Sequence, residues 1–331
     1  MRTAPLNFTQ LVLPVHDVID AEFQSKFPDI SFRKAWSADE LASIMSDTDI
    51  FFVNNQSYTP GVAEVVLPNC DRLKWIQFAT VGIDTARESG LPSNVLMSNV
   101  RGLRTGILAG HAIALMLGAM RGFRRYERYR RAREWGRMEM FPHILAPDGA
   151  TLVIVGLGEI GQDVARKAKA FDMHVIGVSR GGKPEQWIDE VVPREDFHKV
   201  LPTADVVLIA MPYETETRHF VGKPELCLMK PTAILVNISR GGVVDERALI
   251  DALKEGRIAG AAMDVTEVEP LPRESELWAL DNVLLTPHLG GRGGEAQKKH
   301  IAEILEDNLH RFLDSRELYN QIRMDGSIIA R

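Results

Sequence analysis

The chain has 331 residues, a formal net charge of −6 at pH 7, 45% hydrophobic residues and 25% charged residues. This composition is typical of a globular protein with room for two domains of about 150 residues each. The acidic balance argues against a general nucleic-acid binder. Two cysteines, Cys70 and Cys227, form no C-x-x-C motif, which predicts buried free thiols in a reducing compartment.

Neither secretion nor membrane insertion is indicated. The N-terminal segment has no apolar region of signal-peptide length. The longest apolar run, Gly106 to Met120, is shorter than the about 20 residues that cross a bilayer, and it contains His111. We therefore expect a buried helix there and a cytoplasmic protein. Apart from the catalytic candidate named below, the histidines have no ligand-like spacing, so no metal site is expected.

Residues 1–100 alternate strand-like and helix-like segments, which predicts a parallel sheet covered by helices. The predicted strands are Leu11–Leu13, Ile30–Arg33, Ile50–Val53, Leu73–Phe78 and Val95–Met97, and the predicted helices are Val18–Phe27, Ala38–Met45 and Gly61–Leu67. Ligands of open α/β sheets bind beyond the carboxyl ends of strands. After the Leu73 strand, the amides of Val81 and Gly82 are therefore candidates for holding a small anion, although an ordinary turn explains this segment almost equally well.

Residues 101–121 form one long helical pattern, which we interpret as the first crossing between two domains. It is followed by Arg121 to Arg137, which contains eight arginines interleaved with aromatic residues. One interpretation is a nucleic-acid patch. The acidic remainder of the chain favours the other, a solvated or subunit-facing helix surface. The segment Ala146 to Gly149 resembles a linker.

A dinucleotide-binding motif follows the linker. The β-branched run that begins at Thr151 leads into Gly156-Leu157-Gly158-Glu159-Ile160-Gly161, and a helix is predicted over Gln162–Phe171. In this G-x-G-x-x-G pattern, the first glycine permits the tight turn, the second lets the backbone approach a pyrophosphate, and the third lets helix and strand pack closely. The N–H groups at the start of the helix bind the anion.

The second strand of this unit, His174 to Val178, ends where NAD-binding proteins carry a carboxylate for the ribose 2′-hydroxyl. Here the chain reads Ser179-Arg180-Gly181-Gly182-Lys183. A hydroxyl and two cations suit a 2′-phosphate, and no carboxylate remains to repel it. The segment therefore predicts NADP(H) in preference to NAD(H). The alternative is that Arg180 stacks on adenine or faces solvent.

Later segments complete the second sheet and return to the first domain. The predicted strands are Val206–Ala210, Ala233–Ile238, Ala259–Met263 and Val283–Leu285, and the predicted helices are Asp245–Lys254, with Asp245 as the cap, and Glu295–Leu313. The prediction is an α/β protein with two Rossmann/flavodoxin-like domains built on parallel sheets. A cofactor domain over 101–294 is inserted in a discontinuous substrate domain over 1–100 and 295–331.

Three ionisable residues, Arg240, Glu269 and His288, lie at or beyond predicted strand ends. Position alone does not decide whether any one of them belongs to a functional site. Together, however, they supply the groups that reduction of a 2-oxo acid requires. An arginine fork binds the carboxylate, a histidine donates a proton to the carbonyl oxygen, and a glutamate beside the imidazole favours its protonated form.

Three segments closely resemble the D-isomer-specific 2-hydroxyacid dehydrogenases. They are MKPTAILVNISRGGVVDERALIDAL (Met229 to Leu253), GAAMDVTEVEPLP (Gly260 to Pro272) and DNVLLTPHLGG (Asp281 to Gly291). With the glycine loop and the Val81-Gly82 loop, the resemblance covers essentially the whole chain.

This resemblance implies Arg240, Glu269 and His288 as the catalytic residues, with His288 as general acid/base, and usually a homodimer. It implies that Val81, Gly82, Arg240 and His288 bind the substrate, and that Asp264 holds the nicotinamide carboxamide. The implied cofactor contacts are Gly156, Leu157, Gly158, Glu159, Ile160, Gly161, Ser179, Arg180, Met211, Pro212, Thr217, Ile238, Ser239, Arg240, Asp264, His288 and Gly290.

The expected activity is NAD(P)H-dependent reduction of a 2-oxo acid to a D-2-hydroxy acid, with glyoxylate and hydroxypyruvate as first candidate substrates. A phosphite- or formate-type dehydrogenase on the same fold and a corepressor-like dinucleotide-sensing scaffold are the alternatives. Two positions depart from the family pattern. Gly110 stands where many family members have a glutamate, and the missing carboxylate is expected to alter either the cleft or the packing of the helix. Arg292, after the histidine block, is either a contact to an acidic ligand or a water-facing cation, and we favour the second.

Overall fold

The computed structural model describes residues 6–12, 18–102, 105–181 and 185–323. These residues divide into two compact units. The first unit holds the described residues up to 102 together with those from Gly293 onward, and the second holds those from 105 to Arg292. Both units are parallel sheets with helices, so the predicted α/β class with two parallel sheets is confirmed.

The first unit is built on five parallel strands in the order β2-β1-β3-β4-β5. This order matches the flavodoxin-like doubly wound arrangement. Its elements are β1 Leu6–Leu11, α1 Ala21–Ser25, β2 Ile30–Ala35, α2 Ala38–Ala42, β3 Ile50–Val53, α3 Pro60–Val66, β4 Trp75–Phe78, α4 Asp84–Ser89 and β5 Leu96–Ser98, and the long C-terminal helix Gly294–Leu313 also belongs to it.

The first strand was predicted too late in the chain. It begins at Leu6 rather than Leu11, and Leu13 lies outside the described residues. The pattern was obscured because polar residues of this strand are buried: Thr9 is 0% exposed and Gln10 is 1% exposed. The hydroxyl of Thr9 lies 2.8 Å from that of Thr48, so the buried polar group has a partner.

A buried polar cluster fixes the C-terminal helix to the first sheet. The Asn308 amide donates to Gln77 Oε1 at 2.9 Å, and the Ser98 hydroxyl donates to the same oxygen at 2.7 Å. The Trp75 indole N–H donates to Ser98 Oγ at 2.8 Å. All four side chains are 0% exposed, so each hydrogen bond forms away from water and specifies one packing of the helix.

Asp49 is a buried carboxylate at the amino end of β3. It accepts hydrogen bonds from the Asn7 backbone N–H at 2.9 Å and the Arg72 guanidinium at 3.0 Å, and it lies 3.1 Å from Lys74 Nζ. Burial by itself raises the pKa of Asp49, but the hydrogen bonds from Arg72, the Asn7 amide and Lys74 outweigh it, so the pKa lies below its ordinary value.

Replacing Asp49 with asparagine should lower the free energy of unfolding at pH 7 by about 2 kcal/mol, because charge-assisted hydrogen bonds are lost. The folded-state pKa lies below the unfolded value of about 3.9. The stabilisation is therefore complete above about pH 4 and is lost as the pH falls through the folded-state value. Urea unfolding at pH 7 and near pH 3 tests this. The control is Asp47→Asn, at an exposed position. The prediction would be contradicted if Asp49→Asn lowered the free energy of unfolding, relative to the wild type, by the same amount at both pH values.

The second unit is built on seven parallel strands in the order β12-β11-β10-β9-β6-β7-β8. Its elements are α5 Thr105–Met120, α6 Phe123–Ala132, α7 Arg137–Met140, β6 Thr151–Val155, α8 Glu159–Lys169, β7 His174–Ser179, β8 Glu190–Pro193, α9 Phe197–Val200, β9 Val206–Ile209, α10 Lys223–Leu228, β10 Ile234–Asn237, α11 Glu246–Lys254, β11 Gly260–Met263 and β12 Val283–Leu285. The C-terminal helix of the first unit is α12, Gly294–Leu313.

The second unit confirms some local predictions and corrects others. The Asp245 side chain accepts from the Ala248 N–H at 2.9 Å and caps α11. Helix α8 begins at Glu159 rather than Gln162, because the glycine motif itself supplies its first turn. Strand β8 and helix α10 were not predicted. Cys227, which lies on α10, is exposed, and Cys70 is only partly buried, so the expectation of two buried thiols is wrong.

Helix α5 is the buried helix expected from its apolar run. Within the described part of the chain, no single helix is long and apolar enough to cross a membrane. Only α5 and α6 taken together satisfy the length and composition requirements, and this pair is bent by 57°.

Candidate active site

In the second unit, most of the predicted site residues lie at or just beyond the carboxyl ends of the strands. In a parallel sheet these ends share one edge, where ligands of doubly wound folds bind. The glycine loop follows β6, Ser179 ends β7, Met211 follows β9, Arg240 follows β10, Asp264 follows β11 and His288 follows β12.

The glycine loop has the geometry that a dinucleotide requires. Gly156 has φ +105°, and a Cβ there would lie 2.7 Å from the Met211 backbone N, so only glycine fits. A Cβ on Gly161 would lie 2.0 Å from the Gly156 carbonyl oxygen. A Cβ on Gly158 would meet no atom within 4 Å, so the backbone there is open to a ligand. The loop therefore fits a pyrophosphate next to the N-terminus of α8.

The other residues predicted around the cofactor differ in what their side chains do. Leu157 packs against Gly177, where a Cβ would lie 2.6 Å from Leu157 Cδ1, and Ile160 is partly buried. Glu159 lines a cavity of about 620 Å³ together with Thr105 and Gln162. Met211 and Ile238 are buried, whereas Pro212 is exposed.

Thr217 shapes the loop after β9. Its side chain is buried, with 1% exposed. Its hydroxyl donates a hydrogen bond to the Pro212 carbonyl at 3.0 Å and accepts one from the Glu214 N–H at 2.6 Å. The side chain that the resemblance implied as a cofactor contact is thus occupied in holding the backbone of its own loop.

Arg180 has a carboxylate neighbour that its own segment did not reveal. Arg180 Nη1 lies 3.8 Å from Glu214 Oε2, and Ser179 is partly buried at the end of β7. The expectation that no carboxylate lies near the end of this strand is therefore wrong, because Glu214 reaches it from the loop after β9. Gly182 and Lys183 lie outside the described residues.

His288 and Glu269 form a close pair. His288 Nδ1 lies 2.7 Å from Glu269 Oε2, and the other carboxylate oxygen of Glu269 accepts from the Thr266 N–H at 3.2 Å. Because an ionised carboxylate can only accept a hydrogen bond, we assign a proton to Nδ1, which donates to Glu269. Nε2 is then the ring nitrogen available to a reactant.

Asp264 organises the segment that carries His288. Its carboxylate accepts from the Thr286 hydroxyl at 2.6 Å and from the N–H groups of Leu289 and Gly290, both at 2.9 Å. His111 Nε2 lies 3.3 Å from the same carboxylate. These bonds support His288 in a left-handed conformation, φ +53°, which is uncommon for a residue other than glycine.

Sequence reasoning missed the partnership of His111 and Thr286 with Asp264. It assigned Asp264 to the nicotinamide carboxamide and did not indicate that both of its oxygens accept hydrogen bonds from the 286–290 segment. The only available signal was a lone histidine in an apolar helix. Gly110, the departure next to His111, has open space where a Cβ would stand.

Arg240 lies in a turn that packs against the segment after Asp264. The Asn237 amide donates to the Arg240 carbonyl at 3.0 Å, and Asn237 Oδ1 accepts from the Ser239 N–H at 3.0 Å. A Cβ on the next residue, Gly241, would lie 2.0 Å from the Thr266 backbone. The Arg240 turn is therefore in close contact with the segment that leads to Glu269.

Arg292 is not the water-facing cation that we favoured. It is partly buried, and burial lowers the pKa of its guanidinium from the ordinary value. Its backbone N–H donates to the Leu289 carbonyl at 2.8 Å, which continues the ordered turn after His288.

In the first unit, the Val81-Gly82 loop follows β4. The Asn99 amide donates to the Val81 carbonyl at 2.8 Å, and the Thr80 hydroxyl donates to the Gly82 carbonyl at 3.0 Å. Both carbonyls are thus turned into the protein, and within the described residues neither N–H of this pair makes a hydrogen bond. The loop presents donors that suit a small anion.

Comparison with known proteins agrees with this geometry. Residues 113–290 match the family model described as D-isomer specific 2-hydroxyacid dehydrogenase, NAD binding domain. The chain is 40% identical over 273 residues to a glyoxylate reductase of Thermococcus litoralis, covering 81% of this chain and 82% of the relative. It is 40% identical over 257 residues to a glyoxylate reductase of Pyrococcus furiosus, covering 76% of each.

A solved structure supports the same relationship. A D-isomer-specific 2-hydroxyacid dehydrogenase family protein from Aeromonas salmonicida superposes with a TM-score of 0.83 at 28% identity, covering 97% of this chain and all of the other. The site at the sheet edge, with its glycine loop and His–Glu pair, indicates the same family as the model that matches more than half of the chain. The relatives at 40% identity indicate it as well. The chain belongs to the D-isomer-specific 2-hydroxyacid dehydrogenases, oxidoreductases that act with a nicotinamide cofactor.

Proposed function

We propose that this protein reduces glyoxylate to glycolate or hydroxypyruvate to D-glycerate, with His288 as the proton donor. The observation that carries the proposal is the 2.7 Å pair of His288 Nδ1 and Glu269 Oε2 at the carboxyl edge of the sheet that also bears the glycine loop. The relatives from Thermococcus litoralis and Pyrococcus furiosus are glyoxylate reductases, which supports this choice of substrate.

The roles follow from the chemistry of the side chains. Glu269 accepts the Nδ1–H of His288 and orients the ring, so that Nε2–H of the protonated imidazole donates its proton to the carbonyl oxygen as that oxygen gains negative charge. His288 is then neutral and regains a proton from solvent. The guanidinium of Arg240 binds and polarises the oxo acid. The Val81 and Gly82 amides of the first unit, the proposed substrate domain, bind a carboxylate.

The glycine loop, Ser179 and Arg180 would hold the cofactor, which supplies the hydride to C2 of the substrate. The proposed preference is for NADP(H) over NAD(H), because Arg180 offers a guanidinium at the position of the ribose 2′-phosphate. The openness at Gly158 supports the placement of the pyrophosphate.

Initial rates of NADPH and NADH oxidation with glyoxylate, hydroxypyruvate, pyruvate and phenylpyruvate test the proposal. We expect turnover with the two small substrates to exceed that with phenylpyruvate. Turnover with phosphite or formate instead would favour the rival dehydrogenases. Cofactor binding without any turnover would favour a sensing scaffold.

We also propose a homodimer that forms through the surface around α6. Five large side chains on this surface are exposed: Phe123, Tyr126, Trp135, Met138 and Phe141, with exposed fractions of 59%, 38%, 89%, 71% and 59%. Exposed apolar groups at this density mark protein contacts, and aromatic residues mixed with arginine are enriched in interfaces. This composition favours the subunit-facing interpretation of the arginine-rich segment.

Replacing Trp135 with alanine should weaken the proposed dimer at least tenfold, because the most exposed aromatic side chain of the surface is removed. Sedimentation velocity over a range of protein concentrations measures the change. Trp36→Ala, which removes an exposed tryptophan of the first unit, should leave the association unchanged. A monomeric wild-type protein, or equal effects of both variants, would contradict the proposal.

A further inference from the structure

The end of β7 carries an ion pair that the sequence did not suggest. Arg180 follows this strand, and Glu214 lies in the loop after β9, where their charged groups approach to 3.8 Å. In a doubly wound dinucleotide fold, the end of the second strand is the place where the adenosine ribose 2′ position is recognised. A cation and an anion therefore meet at the position that distinguishes NADP(H) from NAD(H).

Glu214 is held at this place by its backbone. Its N–H donates to the Thr217 hydroxyl at 2.6 Å, and its carbonyl accepts from the Thr217 N–H at 3.0 Å. Thr217 is 1% exposed, so the anchor is buried although the Glu214 carboxylate is not. The loop thus presents the carboxylate from a fixed position.

We propose that Glu214 is a specificity-determining residue for the cofactor and limits the preference for NADP(H). The inference rests on the proposed cofactor site. A 2′-phosphate bound to Arg180 would share the guanidinium with the Glu214 carboxylate, and the two anions would repel each other. A ribose 2′-hydroxyl meets no such opposition, and the carboxylate can accept its hydrogen bond. The Arg180–Glu214 pair therefore makes the site one that accepts both cofactors.

The exposure of the pair agrees with this role. The Arg180 side chain is 74% exposed and the Glu214 side chain is 39% exposed. An ion pair this exposed contributes little to the stability of the fold. Arg180 can consequently leave Glu214 for a phosphate at small cost, while Glu214 still competes with the phosphate for the guanidinium.

The test is a set of equilibrium binding measurements on the full chain. Dissociation constants for NADPH, NADH, 2′,5′-ADP and 5′-AMP are measured by calorimetry for the wild type, Glu214→Gln, Arg180→Ala and the double variant. The two adenosine nucleotides differ only in the 2′-phosphate and lack the nicotinamide. Glu216→Gln is the matched control, because Glu216 lies in the same loop and is exposed. Melting temperatures verify that each variant is folded.

We expect Glu214→Gln to tighten the binding of NADPH and 2′,5′-ADP by about three- to fivefold and to leave the binding of NADH and 5′-AMP no tighter than in the wild type. Glu216→Gln should change each constant by less than twofold. In the Arg180→Ala background, Glu214→Gln should give less than a twofold gain for 2′,5′-ADP, because its effect acts through the guanidinium.

Two outcomes would overturn the inference. One is an unchanged ratio of NADPH to NADH affinity in Glu214→Gln. The other is an equal gain in Glu216→Gln, which would indicate a general effect of surface charge. Failure of the proposed function gives a different result, which is seen in the wild type before the variants are compared. The wild type would then bind neither dinucleotide, or would bind both without reducing any oxo acid.

Discussion

Replacing His288 with asparagine should lower kcat for reduction of the oxo acid by about 10²- to 10⁴-fold, the range attributed to a positioned general acid. Asparagine is close in size to the first part of the imidazole but cannot deliver a proton to the carbonyl oxygen. Steady-state rates with saturating cofactor measure the effect, and cofactor binding should change much less than kcat.

The chain offers a matched control for this experiment. His219 also has a positive φ, +51°, and its Nε2 lies 2.7 Å from Glu267 Oε1. This second His–Glu pair has no assigned catalytic role, so His219→Asn should keep kcat within about threefold of the wild type. Near wild-type turnover in His288→Asn, or equal losses in both variants, would show that another group supplies the proton.

Replacing Arg240 with alanine should lower kcat/KM for the oxo acid by about 10²- to 10³-fold, because removal of one partner of a hydrogen-bonded charge pair costs about 2–5 kcal/mol. Arg240→Lys should recover only part of the loss, since an ammonium lacks the fork that binds a carboxylate in two places. The measurement is kcat/KM with glyoxylate and with hydroxypyruvate at saturating cofactor.

Arg247→Ala is the control for the arginine series. Arg247 lies on α11, shortly after Arg240 in the chain, and its exposed guanidinium pairs with Asp251 at 2.7 Å and Glu276 at 2.8 Å. Loss of these surface ion pairs should leave kcat/KM unchanged within about twofold. If Arg240→Ala retained full kcat/KM, recognition of the substrate would have to come from other residues.

Local sequence patterns were sufficient for much of the fold. Runs of apolar residues predicted most strands of both sheets, since each central strand is buried on two faces and contains few polar residues. The cap at Asp245 was predicted because a capping side chain acts on residues close to it in the chain. The glycine loop was predicted for the same reason, because its tight turn and its close packing involve neighbouring backbone atoms.

The positions of His288 and Arg240 at strand ends were also accessible from the sequence. Once the strands of a parallel sheet are identified, their carboxyl ends must share an edge, and polar residues just beyond them become candidates. The contact between His288 and Glu269 was expected from the chemistry and the family resemblance, and the 2.7 Å distance agrees with it.

Only the tertiary structure decided which distant residues meet. Polar residues in β1 hid that strand, because Thr9 has its partner in Thr48, outside the strand. The carboxylate beside Arg180 comes from the loop after another strand, and Asp264 is joined by Thr286 and His111 from two further elements. The sequence by itself determined the family, the sheets and the strand-end residues, since these depend on local periodicity and short motifs. The partners of each charged group depend on how loops from separate strands pack at one edge, and local patterns carry no information about that packing.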